Sequence, residues 1–257
     1  MRSIGDLTYL EIPERLRESS VLCLPIGAVE QHGPHLPVNT DIVIAEGFTR
    51  LLVSRIGDEF DLWQLPTISV SLSREHEWAP GTMSLSVPTF TALIRETGQQ
   101  IARALPARNL LIVNGHGGNR GILEPLIQDL RHDFGLNSCV VHPLTLSKID
   151  VDTAVPDVHG AKAETSMMLA LAPHLVRRDM IAKLKKKPDG ETIRRIVLEP
   201  GVTWPWSSDD PRIADKGVIG DIADASEAFG QHILGRAVDE ARGVLQRLLD
   251  NRKIARG

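Results

Sequence analysis

Residues 109–119 read NLLIVNGHGGN, a short apolar run that ends abruptly in glycine, histidine and asparagine. A run of this length, bounded by turn residues, is typical of a buried strand. Residues 21–26, VLCLPI, have the same character and end at Gly27. Two buried strands followed by polar loops predict a sheet with its functional side chains at the carboxyl ends of the strands.

Amphipathic segments separate these apolar runs. After Asp41, apolar residues recur at helical spacing through Ile56, and Ser86 stands where a helix N-cap is expected. Further strands are predicted at residues 62–70, interrupted by Pro66, and at residues 138–141. The remaining predicted helices cover residues 122–130, residues 164–171 and about residues 225–249. Strands and helices therefore alternate, which predicts an α/β fold with a mostly parallel central sheet covered by helices on both faces.

A polar, proline-rich stretch at residues 183–215 interrupts this alternation. Only one helical segment follows it, so we interpret it as a long surface excursion of the same domain and not as a linker. The 257 residues suffice for one α/β domain with a full core. We therefore expect a single domain over residues 1–257.

Composition excludes several classes of protein. The chain has 29 Lys and Arg against 33 Asp and Glu, for a net charge of −4, which argues against a nucleic-acid partner. No apolar run approaches the ~20 residues of a membrane span, and the N-terminal segment has no apolar signal region. Cys23 and Cys139 lie in strand-like runs, so we expect two buried thiols and a cytoplasmic location.

Histidine, in contrast, is clustered. The chain has nine histidines, and three polar motifs follow strand ends or irregular segments: residues 27–41, 114–119 and 159–166. Each combines carboxylate or imidazole groups with glycine or proline, which allow close backbone approach. Mixed nitrogen and oxygen donors are typical of Zn²⁺, Mn²⁺ or Fe²⁺ sites.

These motifs supply three carboxylates and two imidazoles as candidate metal ligands. The candidates are Glu30, His32, Asp41, His116 and Glu164. Two divalent ions carry +4, the three carboxylates carry −3, and a bridging hydroxide brings the sum to zero. This arithmetic indicates a two-metal hydrolase centre.

Simpler interpretations remain open for the single residues. Asp41 alone is also placed to be a helix N-cap, and Glu30 alone to form a loop salt bridge. His116 lies between glycines, as do residues of phosphate-binding loops, but no GKS or GKT sequence follows it, which excludes a P-loop.

Five motifs together resemble the creatininase family, creatinine amidohydrolase and its relatives. They are EQHGPHLPVNTD (30–41), EHEWAPGTMSL (75–85), NGHGGN (114–119), HGAKAETS (159–166) and GVIGD (217–221). The resemblance implies a three-layer α/β/α domain with a binuclear metal site, in a homo-oligomer that is often a hexamer. It also implies a hydrolase of C–N bonds other than ordinary peptide bonds, chiefly in cyclic amides. Relatives include a formamide-cleaving deformylase and a peptidase that trims the mycofactocin precursor peptide.

The resemblance also assigns roles. All five candidate ligands match metal-binding positions of the family, with Asp41 as the bridge, and His159 matches its catalytic histidine. Glu164 is placed either to bind metal or to share the proton shuttle with His159. We expect two divalent ions, with zinc favoured and manganese or iron as alternatives, and a small-molecule amide substrate. His76 is a further candidate pocket residue.

Two departures argue against creatinine as the substrate. Creatininase carries Tyr-Glu, with the glutamate binding metal, where this chain has Gly117 and Gly118, so one metal ligand of the family is absent here. Creatininase also carries a tryptophan where this chain has Val155. We interpret Trp204 and Trp206 as surface packing, with a lid over the site as the alternative. A precursor-peptide peptidase and creatinine–creatine interconversion are the other enzymatic hypotheses. A non-catalytic scaffold is disfavoured because all candidate residues are present together.

Overall fold

A computed structural model describes residues 2–151, 154–184 and 188–254. Strands β1 to β4 are Val21–Ile26, Leu62–Gln64, Asn109–Asn114 and Asn137–Val141. Helices α1 to α9 are Glu11–Arg15, Thr40–Phe60, Val87–Ala104, Arg120–Phe134, Pro143–Leu146, Lys162–Leu171, Arg178–Ile181, Gly190–Val197 and Glu227–Ile254. Short 3₁₀ turns lie at Ile4–Asp6, Arg74–His76, Gly117–Asn119 and Pro173–Leu175.

The four strands form one parallel sheet in the order β2-β1-β3-β4. The last residue of β1, Ile26, lies opposite the last residue of β3, Asn114. Both central strands therefore end at the same level, and the loops that follow them leave the sheet side by side. The expectation of a mostly parallel sheet is confirmed.

Alternate residues of the strands face two separate cores, as the pleat of a strand requires. Cys23 and Leu111 face α2, α6 and α9 on one side, whereas Leu22 and Leu110 face α3 and α4 on the other. The molecule is thus a three-layer α/β/α fold, as the resemblance implied. Cys139 of β4 is half-buried beside the first core, and both cysteines are free thiols.

Strand β2 is shorter than the predicted strand at residues 62–70. Leu65 and Ile68 still donate backbone hydrogen bonds to β1, at 2.9 and 3.0 Å. Pro66 between them has no N–H to donate, so the regular ladder ends at Gln64. The segment beyond follows the sheet edge without forming a strand.

Local signals set the helix boundaries as the sequence indicates. The Ser86 side chain accepts a hydrogen bond from the Thr89 N–H, and Pro88 lies in the first turn of α3. Helix α4 ends at Phe134, and the next residue, Gly135, adopts a φ of 64°. Helix α9 extends from Glu227 to Ile254, a few residues beyond the predicted end.

The segment at residues 183–215 is more ordered than its composition suggested. It contains α8, capped by the Asp189 carboxylate, and Ile193 and Ile213 form a small third core with Ile219. Residues 185–187 lie outside the described part of the chain. No helix of the described residues is long and apolar enough to cross a membrane.

Candidate metal centre

The site lies at the carboxyl edge of the sheet, where the loops after β1 and β3 meet the start of α2. Gly115 donates a 2.8 Å backbone hydrogen bond to Ile26. A Cβ on Gly27 would lie 2.5 Å from the backbone nitrogen of Ile42, and one on Gly115 would lie 2.4 Å from the carbonyl oxygen of Asp41. Glycine at both positions therefore lets α2 begin directly against the two loops.

One group of donors combines Glu30, Asp41 and His116. His116 Nδ1 lies 3.1 Å from Glu30 Oε1 and 3.2 Å from Asp41 Oδ2. The three donor atoms all lie within 4.8 Å of one another, and all three residues are buried. The geometry suits one ion held by two carboxylates and an imidazole.

A second group lies on the other side of Asp41. Its Oδ1 atom is 3.0 Å from His32 Nε2, and Glu164 Oε2 is 3.7 Å from the same nitrogen. The backbone N–H of Gly160 donates to Glu164 Oε2 at 2.6 Å and orients that carboxylate. Asp41 therefore presents one oxygen to His32 and the other to His116, which is the arrangement of a bridging ligand.

His159 lies against both groups. Its Nδ1 atom is 3.7 Å from Glu30 Oε1, and its ring centroid is 4.3 Å from that of His32. Its Nε2 atom lies 2.6 Å from the carbonyl oxygen of Gln31, which assigns the ring N–H to Nε2 and leaves a lone pair on Nδ1 facing the site. His159 also has the position of a third candidate metal ligand, with His32 and Glu164.

His76 contacts His159 and also Ser208, a residue that the sequence did not single out. Its ring stacks on that of His159 with centroids 3.9 Å apart, and Nε2 lies 3.7 Å from Glu30 Oε1. Its Nδ1 atom is 2.7 Å from the hydroxyl of Ser208. The Gln31 side-chain amide nitrogen lies 3.1 Å from His159 Nε2 and 2.9 Å from the Ser208 hydroxyl. Gln31 therefore connects the loop after β1 to the segment that carries Ser208.

No spacing signal predicts this contact with Ser208, because 132 residues separate it from His76. Trp206 arrives with the same segment, its ring centroid 5.8 Å from that of His76 in an edge-to-face contact. Trp206 also packs against the third core. Trp204 is 52% exposed and donates to Glu199. Of the two tryptophans, Trp206 reaches the site.

Buried polar atoms without hydrogen-bond partners test whether the centre fits metal ions. Within the described ranges these include both Glu30 carboxylate oxygens, His32 Nε2 and Asp41 Oδ2. An unsatisfied buried carboxylate is costly, and here four such donor atoms converge. Their chemistry and placement fit divalent cations, which would satisfy them together.

The electrostatics of the cluster also favour bound cations. Burial, with the Asp41 charge, raises the pKa of Glu30 to about 7. Burial alone would lower the pKa of His32, but the Asp41, Glu164 and Glu30 carboxylates outweigh it and raise that pKa to about 10. Burial and neighbouring histidines hold the pKa of His159 well below its usual range. A nearby positive charge would thus stabilise the buried carboxylates, while His159 stays neutral.

The simpler interpretations of Asp41 and His116 do not hold. Helix α2 begins at Thr40 with Asn39 as its N-cap, so Asp41 lies in the first turn with its carboxylate in the cluster. The loop around His116 is shaped by Asn114, whose side chain donates to the His116 carbonyl at 2.6 Å. Carboxylates surround the imidazole, which opposes the binding of a phosphate.

A family model described as creatinine amidohydrolase matches residues 5–245. A mycofactocin precursor peptide peptidase of Mycobacterium tuberculosis is 32% identical over 247 residues, 92% of this chain and 88% of that protein. A creatinine amidohydrolase of Pseudomonas putida is 28% identical over 257 residues, 90% of this chain and 91% of that protein.

Solved creatininase structures share the fold. One crystal structure of creatinine amidohydrolase superposes with a TM-score of 0.75 at 24% identity, covering 96% of this chain and 97% of the other. A structure named as the manganese form of creatininase gives a TM-score of 0.75 at 24% identity, with 96% and 98% covered. The similarity extends over the sheet and both helical layers.

Proposed function

Because this chain belongs to the creatininase family, we propose that it is a metal-dependent hydrolase that cleaves an amide C–N bond of a small molecule with water. The observation that carries the proposal is the position of Asp41, whose two carboxylate oxygens face two different imidazoles beside the buried Glu30 carboxylate. That arrangement suits a pair of ions, and a paired site is suited to hydrolysis.

The residues divide between two ion positions. Glu30, Asp41 and His116 would hold one ion, and His32, Asp41 and Glu164 the other. Zinc is the ion we favour, with manganese or iron as alternatives, since all three accept mixed nitrogen and oxygen ligands. When bound, such a pair supplies a nucleophile at neutral pH by lowering the pKa of water, and it polarises the substrate carbonyl.

His159 is the residue to which we assign proton transfer. Its Nδ1 lone pair accepts the proton that water loses as its oxygen bonds to the carbonyl carbon. When the C–N bond breaks, Nδ1 returns that proton to the leaving nitrogen, which is a poor leaving group without it. The hydrogen bond between Nε2 and Gln31 holds the ring for both steps. Glu164, 3.7 Å from His32, is the alternative carrier if it does not bind metal.

The substrate we favour is a cyclic amide or a formamide other than creatinine. Val155 provides no flat aromatic ring, and the Trp206 ring meets His76 in an edge-to-face contact. A second candidate is a short precursor peptide, because the relatives that are 32% identical over 92% of the chain are named precursor-peptide peptidases. Gly117 favours it, since a Cβ there would meet open space. Creatinine–creatine interconversion is the third candidate reaction.

The test is hydrolysis by protein stripped of metal and then reloaded with Zn²⁺ or Mn²⁺. The panel comprises formamides, lactams and other cyclic amides, creatinine, and short peptides. We expect turnover of one class, lost after stripping and restored on reloading, with a raised KM in Trp206→Ala and an unchanged KM in Trp204→Ala. Turnover that survives complete metal removal would contradict the proposal, and so would reloaded protein that cleaves none of these classes.

We also propose that residues 1–257 act as one hydrolase domain in the cytoplasm and that copies associate, with a hexamer expected from the resemblance. Two free cysteines suit a reducing compartment. Light scattering would give a mass several times that of one chain, and a monomeric mass at micromolar concentration would contradict association.

A further inference from the structure

The two nitrogens of His116 face different surroundings. Nδ1 points to Glu30 and Asp41, where a metal ion would lie. Nε2, across the ring, is buried and has no hydrogen-bond partner within the described ranges. A neutral imidazole that binds metal through Nδ1 must carry its proton on Nε2, and a buried N–H requires an acceptor.

Glu75 offers that acceptor. Its Oε1 atom lies 3.6 Å from His116 Nε2, and its side chain is 18% exposed. Glu75 is absent from the close groups of possible metal donors, which contain Glu30, Asp41 and His116 instead. A side-chain shift of about 0.6 Å would bring the pair to ordinary hydrogen-bond length.

The backbone already holds Glu75 in this position. It lies in the 3₁₀ turn Arg74–His76, and its carbonyl oxygen accepts a 3.0 Å hydrogen bond from the Ser208 N–H and a 3.3 Å bond from the Ser207 hydroxyl. Its neighbour His76 stacks on His159 within the site. Only the flexible end of the Glu75 side chain needs to move.

Gly118 provides the space for this contact. A Cβ at position 118 would lie 2.5 Å from His116 Nε2 and 2.6 Å from Glu75 Oε1, so any side chain there would push the two groups apart. A Cβ on the adjacent Gly117 would meet nothing within 4 Å. Of these two glycines, only Gly118 lies where a side chain would disturb the contact between Glu75 and His116.

We propose that Glu75 is a positioning residue that accepts the Nε2–H of His116 and so fixes the ring with its Nδ1 lone pair toward the metal. The inference rests on the proposed function, since it assigns Glu75 to the metal site described there. Carboxylates that accept from a metal-bound histidine set its tautomer and orientation, and their removal lowers metal affinity about 10–100-fold.

The experiment measures Zn²⁺ affinity by chelator competition in full-length wild type, Glu75→Ala, Glu75→Gln and Glu77→Ala. Glu77 carries the same charge two residues away, is 43% exposed and pairs with Arg74, so it controls for charge alone. We expect Glu75→Ala to weaken one of two bound equivalents about 10–100-fold. Glu75→Gln, which keeps an acceptor oxygen, should recover most of this loss, and Glu77→Ala should match wild type.

Gly118→Ala against Gly117→Ala tests the same contact without touching the carboxylate. We expect weakened Zn²⁺ binding only for Gly118→Ala, with metal-free melting temperatures close to wild type for both. Wild-type affinity in both Glu75→Ala and Gly118→Ala would overturn the inference, and so would equal losses in Glu75→Gln and Glu75→Ala. Wild type that binds no metal would instead overturn the proposed function.

Discussion

Asp41 shows how one side chain can organise the whole centre. It is buried, and its two oxygens approach His116 and His32, at 3.2 and 3.0 Å. Burial would raise its pKa, but these two imidazoles outweigh it and hold the pKa of Asp41 below its usual range. Removing one partner of such a cluster leaves the others as uncompensated buried charges.

His159 provides a test that separates catalysis from metal binding. We expect His159→Ala to keep its metal and to lose about 10²–10⁴-fold in kcat, the range for loss of a general acid–base group. Elemental analysis and steady-state kinetics on the same preparation check this. A variant that loses an equivalent of metal would make His159 a ligand, and full activity with bound metal would remove it from the mechanism.

At the scale of elements, close packing of glycine loops against α2 positions the candidate ligands. A Cβ at position 115 would lie 2.4 Å from the carbonyl oxygen of Asp41. Glycine at this position therefore lets the loop after β3 pack directly against the start of α2. We expect Gly115→Ala to destabilise the metal-free protein by about 1–3 kcal/mol through overpacking and to weaken metal binding by displacing the start of α2. Urea unfolding and metal titration check the two effects.

Gly121, early in α4, is the matched control. A Cβ there meets nothing within 4 Å, so Gly121→Ala should stabilise the protein by roughly 0.5–1 kcal/mol through helix propensity. Equal effects of the two substitutions would show that the fit between the loop and α2 is unimportant.

The sequence predicts elements well where a local cause acts. The apolar runs of β1 and β3 and the Ser86 cap are local, and the structure has all three. Residues 65–70 are not a strand because Pro66 interrupts the ladder. Helix α8 was not predicted in a proline-rich stretch, where its apolar residues pack in a small core that depends on distant Ile219.

The same distinction between local and distant causes applies to the site. Glu30, His32, Asp41 and His116 follow strand ends, so parallel-sheet geometry alone predicts their convergence. Ser208 and Trp206 reach His76 from a segment more than 100 residues later, and Glu75 depends on the space at Gly118. Contacts of this kind are tertiary, and neither spacing nor periodicity contains them.

At the scale of the whole molecule, the candidate ligands come from the loops after β1 and β3 and from α2 and α6, so bound metal should couple the sheet edge to one helical layer. A ligand at 100 times its Kd stabilises the folded state by about 2.7 kcal/mol per site, which for a chain of this size corresponds to roughly 5–10 °C in Tm. We expect a fall of that order on chelation, reversed by Zn²⁺, in scanning calorimetry. A Tm indifferent to chelator and to added Zn²⁺ would be inconsistent with a metal centre in the fold.

Elemental analysis of wild type and Asp41→Ala, each dialysed in the same dilute Zn²⁺ buffer, tests the two-ion centre most directly. The position of Asp41 between His32 and His116 predicts two equivalents per chain in wild type and none in the variant. Two equivalents retained by Asp41→Ala, or a single equivalent in wild type at saturating Zn²⁺, would contradict a centre bridged by this carboxylate.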